Sequence, residues 1–176
     1  MYYWELTLSV LTGLAIGSFL NVCIDRLPLQ CLSRTQKQQL LSDPTLSDIL
    51  KQYLASNQLT LSNPARSICF ACGYQIPWYE NIPVLSYLRL KGQCRSCLTK
   101  YSQRSFWVES LNGIVYGLLY SIFGFSKISI LLAFNFSFGI VVWEIVRGHL
   151  STPKKITHFA FLIAFVDIGM ILMQLS

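Results

Sequence analysis

The chain has 176 residues, 53% of them hydrophobic and 12% charged, with a net charge of +6. Soluble domains carry about 25% charged residues, so the composition weighs against an ordinary soluble domain and points to a membrane. Most of the lysines and arginines fall in one block, the pattern of a cytoplasmic loop, which sets aside a nucleic-acid partner.

Residues 6–23, LTLSVLTGLAIGSFLNVC, form the first apolar run. A helix of this length crosses a hydrocarbon core of ~30 Å. A signal peptide fits less well, because residues 1–5 hold no Lys or Arg and Asp-Arg-Leu-Pro follows in place of a cleavage site. Gly13 and Gly17 are spaced for close helix packing, with Ser18 and Asn21 as polar glue; the alternative is that a membrane helix merely tolerates them.

Residues 26–106 form a long polar loop. Its first part, residues 26–63, is expected to hold two short amphipathic helices divided by Pro44, with Leu46, Ile49, Leu50, Tyr53 and Leu54 as one apolar stripe. Its second part, residues 64–106, holds Cys69, Cys72, Cys94 and Cys97. Two Cys-x-x-Cys pairs separated by 21 residues approach the usual four-cysteine zinc spacing. Each pair can place two thiolates on one metal from a tight knuckle, and two knuckles complete a tetrahedron. Gly73 and Gly92 fall where sharp knuckle turns need them. The alternatives are an empty dithiol module and a pair of disulfides, the latter disfavoured in a reducing cytoplasm. A closed four-cysteine site is structural and would fold a loop too small to build its own core. Cys23 reads as a small apolar filler, and Cys31 has no nearby cysteine partner.

Apolar runs at residues 107–125 and 128–146 form a tight helical hairpin, and a run at residues 158–175 contains Asp167. The expected fold is therefore an all-α polytopic membrane protein of about four transmembrane helices with a small cytoplasmic zinc module. Its units are residues 1–25 (first helix), 26–106 (loop) and 107–176 (a membrane domain of about three helices). Arg26 and Arg104 near membrane ends, with Arg147, Lys154 and Lys155, put both basic loops inside and both termini outside.

The stretch GLAIGSFLNVCIDRLP (residues 13–28), the cysteine pairs, IPWYENIPVLSYLRLKGQCRSC (residues 76–97) and SQRSFWVE (residues 102–109) resemble, in this order, the N-terminal half of bacterial type IV prepilin peptidases. The resemblance is dense from about residue 13 to 125 and implies a multi-pass inner-membrane enzyme of type IV pilus or type II secretion systems. That family cleaves the leader from prepilins and pseudopilins, then methylates the new N-terminus with S-adenosylmethionine. It also implies that the four cysteines are a cytoplasmic zinc module and that membrane lipid and a prepilin-type substrate are the partners.

The family's cleavage chemistry uses two membrane aspartates that share a proton and activate a water. One should stand seven residues before the proline of a Leu-Pro-Asp-x-Leu-Thr motif. The counterpart here is Thr152-Pro153-Lys154-Lys155-Ile156-Thr157, with Lys154 in the Asp position and Val146 where the catalytic acid belongs. Glu144 is two residues away, about 200° around a helix, so only a local shift of register would bring it to the site. The second aspartate belongs to a Gly-x-Gly-Asp motif that does not occur. Asp167, inside the last run, is either functional or a neutral acid hydrogen-bonded in the bundle. His149 and His158 read as solvated interfacial histidines. No glycine-rich nucleotide loop marks a cofactor pocket, so the methyl donor rests on resemblance alone.

The expected function is thus a prepilin peptidase-like membrane protein, truncated and without protease activity, with Glu144 and Asp167 as the weak catalytic candidates. The alternatives are an active leader peptidase and N-methyltransferase, alone or completed by a second polypeptide carrying the missing half, and a zinc-module membrane adaptor.

Overall fold

The computed structural model describes residues 3–148. The run at residues 158–175, with Asp167, His149, His158 and the Thr152–Thr157 motif, lies outside the described residues. Among the described residues six α-helices are formed: α1 (Tyr3–Gln30), α2 (Arg34–Ser42), α3 (Asp48–Ala55), α4 (Leu85–Arg89), α5 (Arg104–Phe123) and α6 (Lys127–Arg147), with a 3₁₀ turn at Trp78–Glu80. Among the described residues there is no strand, only two isolated bridges, Ile68 with Gln75 and Gln93 with Lys100.

Helices α1 and α6 are long and apolar enough to cross a membrane. Only 33% of the α1 apolar window and 28% of the α6 window is buried in the molecule, so most of their apolar surface faces outward. Helix α5 has 20 residues but does not fall in that class; Glu109, Asn112, Tyr116 and Tyr120 interrupt its apolar run. Of the three expected spans that fall among the described residues, two are helices of spanning character, and the fourth expected span lies outside those residues.

Helices α1 and α5 run antiparallel in close contact, because each presents glycines four residues apart. A Cβ on Gly13 would lie 2.5 Å from the Asn112 carbonyl oxygen, and one on Gly17 would lie 2.7 Å from Glu109 Cα. Across the seam, a Cβ on Gly113 would meet Leu14 at 2.8 Å and one on Gly117 would meet Val10 at 2.8 Å. Two backbones this close leave no room for any side chain, so Gly13 and Gly17 are packing residues. The reading of Asn21 as polar glue also holds: its Nδ2 donates to the Ser105 carbonyl at 3.2 Å and to Glu109 Oε1 at 3.3 Å. Near the opposite end Tyr120 donates to Glu5.

The α5–α6 hairpin is joined by polar side chains as well as apolar ones. Asn112 is fully buried, donates to the Val108 carbonyl and accepts from Ser137 Oγ at 2.7 Å. Ser137 is also 2.9 Å from the Tyr116 hydroxyl. An amide with both ends satisfied in an apolar bundle fixes helix register, because sliding would orphan it. Leu20, Cys23, Ile24, Val108, Val141 and Ile145 form the apolar cluster at the other end of the bundle, with Cys23 as the expected filler.

Helix α1 does not stop at the Asp-Arg-Leu-Pro stretch but continues through Pro28 to Gln30. At 1.5 Å per residue its 28 residues reach about 42 Å, more than the ~30 Å of a hydrocarbon core. The excess carries Leu29 towards the loop, where it packs with Leu32, Leu41 and Leu46 on a second cluster of Leu50, Leu54, Leu59 and Ile68. The loop thus has a small core of its own, contrary to expectation, because the end of α1 lends it apolar surface.

The two amphipathic helices form as expected. Ser33 caps α2 in a reciprocal box with Gln36, and Ser47 caps α3 by accepting from the Leu50 N–H. The chain leaves α2 at Asp43, since the residue before Pro44 avoids helical geometry. Ile49 departs from the expected stripe: it is 44% exposed and lies against Gly73 rather than in the core.

Candidate metal centre

The two Cys-x-x-Cys segments fold as a repeated unit. In the first, the Cys69 N–H donates to the Tyr74 carbonyl and the Gly73 N–H to the Cys69 carbonyl. In the second, the Cys94 N–H donates to the Thr99 carbonyl and the Leu98 N–H to the Cys94 carbonyl. The bridges Ile68–Gln75 and Gln93–Lys100 close the two units at the same offset. Each unit turns its backbone N–H groups towards its own sulfurs, which stabilises thiolates.

The four sulfurs meet at one point. Cys69 Sγ is 3.8 Å from Cys97 Sγ, Cys72 Sγ is 3.8 Å from Cys94 Sγ, and all four lie within 4.8 Å of one another. A disulfide needs S–S near 2.05 Å, so these are four free thiols. A tetrahedron with Zn–S bonds of about 2.3 Å has an S···S edge of about 3.8 Å, so the cluster has the size of a Zn-S4 site.

The thiols are electrostatically unequal. Burial pushes Cys69 up to about 12 despite the backbone N–H groups of Cys72 and Ala71. Burial raises Cys72 as well. Hydrogen bonding with the Thr99 side chain and backbone pulls Cys97 down to about 6, which favours its thiolate form. At Cys94 burial acts upward, but donation from the Tyr101 hydroxyl and the Cys97 and Ser96 N–H groups outweighs it, leaving the thiol lowered. Cys97 is also the exposed sulfur of the cluster, where a cation would first meet a ligand. The three remaining sulfurs follow as their protons leave, so metal affinity should fall as pH is lowered.

The residue after each second cysteine has positive φ, +76° at Gly73 and +58° at Leu98. Gly73 is the turn residue expected there. Gly92, also at positive φ, belongs instead to the turn before the second knuckle, under the Tyr87 ring. The second knuckle therefore carries a leucine where the first has glycine, at a cost of about 1 kcal/mol. Leu98→Gly should raise the resistance of the metal-loaded module to denaturant. Gly73→Ala should lower it, since its Cβ would also sit 2.7 Å from Ile49 Cδ1. Equilibrium unfolding followed by the metal signal checks both; opposite signs are expected.

Three ionic groups hold the module in place, of which sequence reasoning passed over Glu80 and Glu109 and used Arg26 only for orientation. Glu80 is buried, pairs with Arg95 at 2.6 Å and accepts from Tyr74 at 3.4 Å, tying one knuckle to the other. Arg26 is buried at the end of α1 and donates to the carbonyls of Thr60, Leu61, Pro64 and Arg66 at 2.8–3.2 Å. Its sequence signal was positive charge beside a span; its structural role is to nail the loop to α1. Glu109 accepts from the Val84 N–H at 2.7 Å and from Asn21, docking α4 on α5. An acid within an apolar run is a visible signal, as at Asp167, and Glu109 could have been found by it. The remaining pair, Asp25 with Arg104 at 2.5 Å, joins the adjoining ends of α1 and α5.

The catalytic candidates do not converge among the described residues. Glu144 lines a cavity of about 240 Å³ with Asp25 and Arg104, whereas Val146 is 48% exposed, so the two positions look in different directions as helix geometry requires. Asp167 lies outside the described residues. Cys31 is exposed and, like Cys23, takes no part in the thiol cluster.

Apolar helices held by glycine seams and a two-knuckle tetrathiol module fastened to their ends define a helical protein with a four-cysteine cluster of a geometry that could hold a metal. A family described as the bacterial peptidase A24 N-terminal domain matches residues 11–123, from the middle of α1 to the end of α5, and the chain belongs to that family. It is 38% identical over 118 residues to a prepilin leader peptidase/N-methyltransferase of Pseudomonas aeruginosa, covering 67% of this chain and 39% of that protein. It is 36% identical over 126 residues to one of Neisseria gonorrhoeae (70% and 41%) and 38% identical over 109 residues to one of Vibrio cholerae (62% and 35%). The match thus spans about two fifths of the length of these curated relatives. No solved structure matches the chain.

Proposed function

We propose that this chain is a prepilin-processing-type protein of the bacterial inner membrane, in which a zinc-held cytoplasmic module is fixed to spanning helices. The observation that carries this reading is the thiol cluster of tetrahedral size inside the segment shared with prepilin leader peptidase/N-methyltransferases. Cys69, Cys72, Cys94 and Cys97 would hold the zinc, which supplies rigidity and no reaction chemistry, since four thiolates leave no open position. The outward-facing apolar surface of α1 and α6 supports lipid contact, and the basic loop supports its placement in the cytoplasm. Its place would be the pilus or type II secretion machinery, acting on prepilin or pseudopilin substrates.

The residues of this chain support holding a substrate more than cutting it. Val146 occupies the position that should bear an acid, and Glu144 faces another side of α6. A dyad cannot be formed from one carboxylate and a valine. Incubating the purified chain with a prepilin is expected to leave the leader attached, read by a mass shift of the substrate. Cleavage that disappears in Glu144→Ala or Asp167→Ala would overturn this reading. Cleavage restored only by adding a second polypeptide would identify a split enzyme.

A further inference from the structure

Helix α4 turns its polar side in and its apolar side out. Ser86 and Tyr87 line a cavity of about 540 Å³ between the cysteine module and the ends of α1 and α5. Leu85 and Leu88 face outward and are 63% and 59% exposed. Trp78, a few residues before α4, is 72% exposed, and Tyr79 and Ile82 are exposed as well. A hydroxyl inside and leucines outside is the reverse of the pattern that water selects. The turn into α4 is imposed by packing, since Val84 takes φ +62°, which a β-branched residue rarely adopts. Its N–H donates to Glu109 Oε2 at 2.7 Å, and the Tyr87 ring lies 5.4 Å from that of Phe106.

These contacts set the depth of α4. The Glu109 carboxylate that holds Val84 also accepts from Asn21, which belongs to the last turn of the apolar run at residues 6–23. The module's other anchor on α1, Arg26, stands five residues further along, about 7.5 Å beyond Asn21. The α4 edge of the module therefore lies level with the end of the apolar run. At the same level begins an exposed apolar stripe of α5, Trp107, Leu111, Ile114 and Leu118, joined to Tyr87 through the Phe106–Trp107 ring contact. A continuous apolar patch of this kind marks a contact surface. Its charges fit a lipid surface. The one acid of residues 78–91, Glu80, is buried and paired with Arg95, so the exposed charges of that segment are Arg89 and Lys91.

We propose that residues 78–91 are an interfacial foot of the cysteine module, with Leu85 and Leu88 among the upper acyl chains and Arg89 and Lys91 on anionic lipid head groups. Trp78 and Tyr79 sit at head-group level, where amphipathic rings are favoured. The foot rests on the membrane placement proposed above.

The test is tryptophan quenching in the full, zinc-loaded chain, reconstituted in vesicles of phosphatidylcholine brominated near the top of its acyl chains, with and without phosphatidylglycerol. Two differences isolate the foot: Leu88→Trp against wild type, and wild type against Trp78→Phe, with zinc content reporting an intact module. Both difference emissions should be blue-shifted and quenched by the brominated lipid, more strongly when phosphatidylglycerol is present. Arg89→Glu combined with Lys91→Glu should remove that gain. Emission at position 88 that stays unquenched while Trp4, Trp107 and Trp143 are quenched would overturn the foot and leave the membrane placement standing. A blue shift there without quenching would assign the face to a protein cover instead. If no tryptophan is quenched, the membrane placement falls with the foot.

Discussion

Cys69→Ser or Cys94→Ser is expected to empty the metal centre and open the module to protease between the two knuckles, while the helical bundle keeps its far-ultraviolet spectrum. Structural four-thiolate zinc contributes about 10–16 kcal/mol of apparent binding energy at neutral pH, far more than the small apolar cluster of Leu50, Leu54, Leu59 and Ile68 can replace. Each cysteine anchors one knuckle, so losing either fully buried sulfur releases both halves. Cys31→Ser is the internal comparison: the thiol is exposed and outside the cluster, so zinc content and protease resistance should not change. Limited proteolysis with mass mapping of the fragments reads the difference. A Cys94→Ser chain as resistant as wild type would mean that packing, not metal, holds the module.

The second large effect is expected at Arg26. Its guanidinium supplies the hydrogen bonds of four loop carbonyls, and Arg26→Leu would leave all four without that donor next to an apolar side chain. Hydrogen bonds to a charged group contribute about 1.5–3 kcal/mol each, and part of the loss is recovered by water, so a net cost of about 3–5 kcal/mol is expected. The loss should appear as local opening of the segment around residues 57–68, measured as faster amide exchange there. Arg26→Lys should rescue only part of it, because one compact ammonium cannot span carbonyls that Nη1 and Nη2 reach together. A cost under about 1 kcal/mol for Arg26→Leu would show that water satisfies these carbonyls as well as the guanidinium does.

What the sequence revealed and what it hid divide along the range of the interactions. The Cys-x-x-Cys spacing, the serine caps of α2 and α3 and the Gly13/Gly17 seam are local patterns, and each recurs in the structure. Gly92 was misplaced because a turn residue was taken for a knuckle residue, while the true equivalent, Leu98, carries no turn signature at all. The loop core was missed because part of it comes from Leu29 at the end of a helix assigned to another unit. Arg26, Glu80 and Glu109 act on partners far along the chain, 34–40 residues away for Arg26, and no spacing rule reports such contacts. The cavity is invisible in sequence for the same reason, as its walls come from α1, both knuckles, α4 and α5.

Zinc held by all four thiols is open to direct measurement. Metal analysis of the freshly reduced, detergent-purified chain, with X-ray absorption at the zinc edge, tests it most directly. One zinc per chain with four sulfur neighbours at about 2.3 Å is the predicted result. A chain that is folded, reduced and free of zinc, or whose zinc has nitrogen or oxygen neighbours, would contradict it.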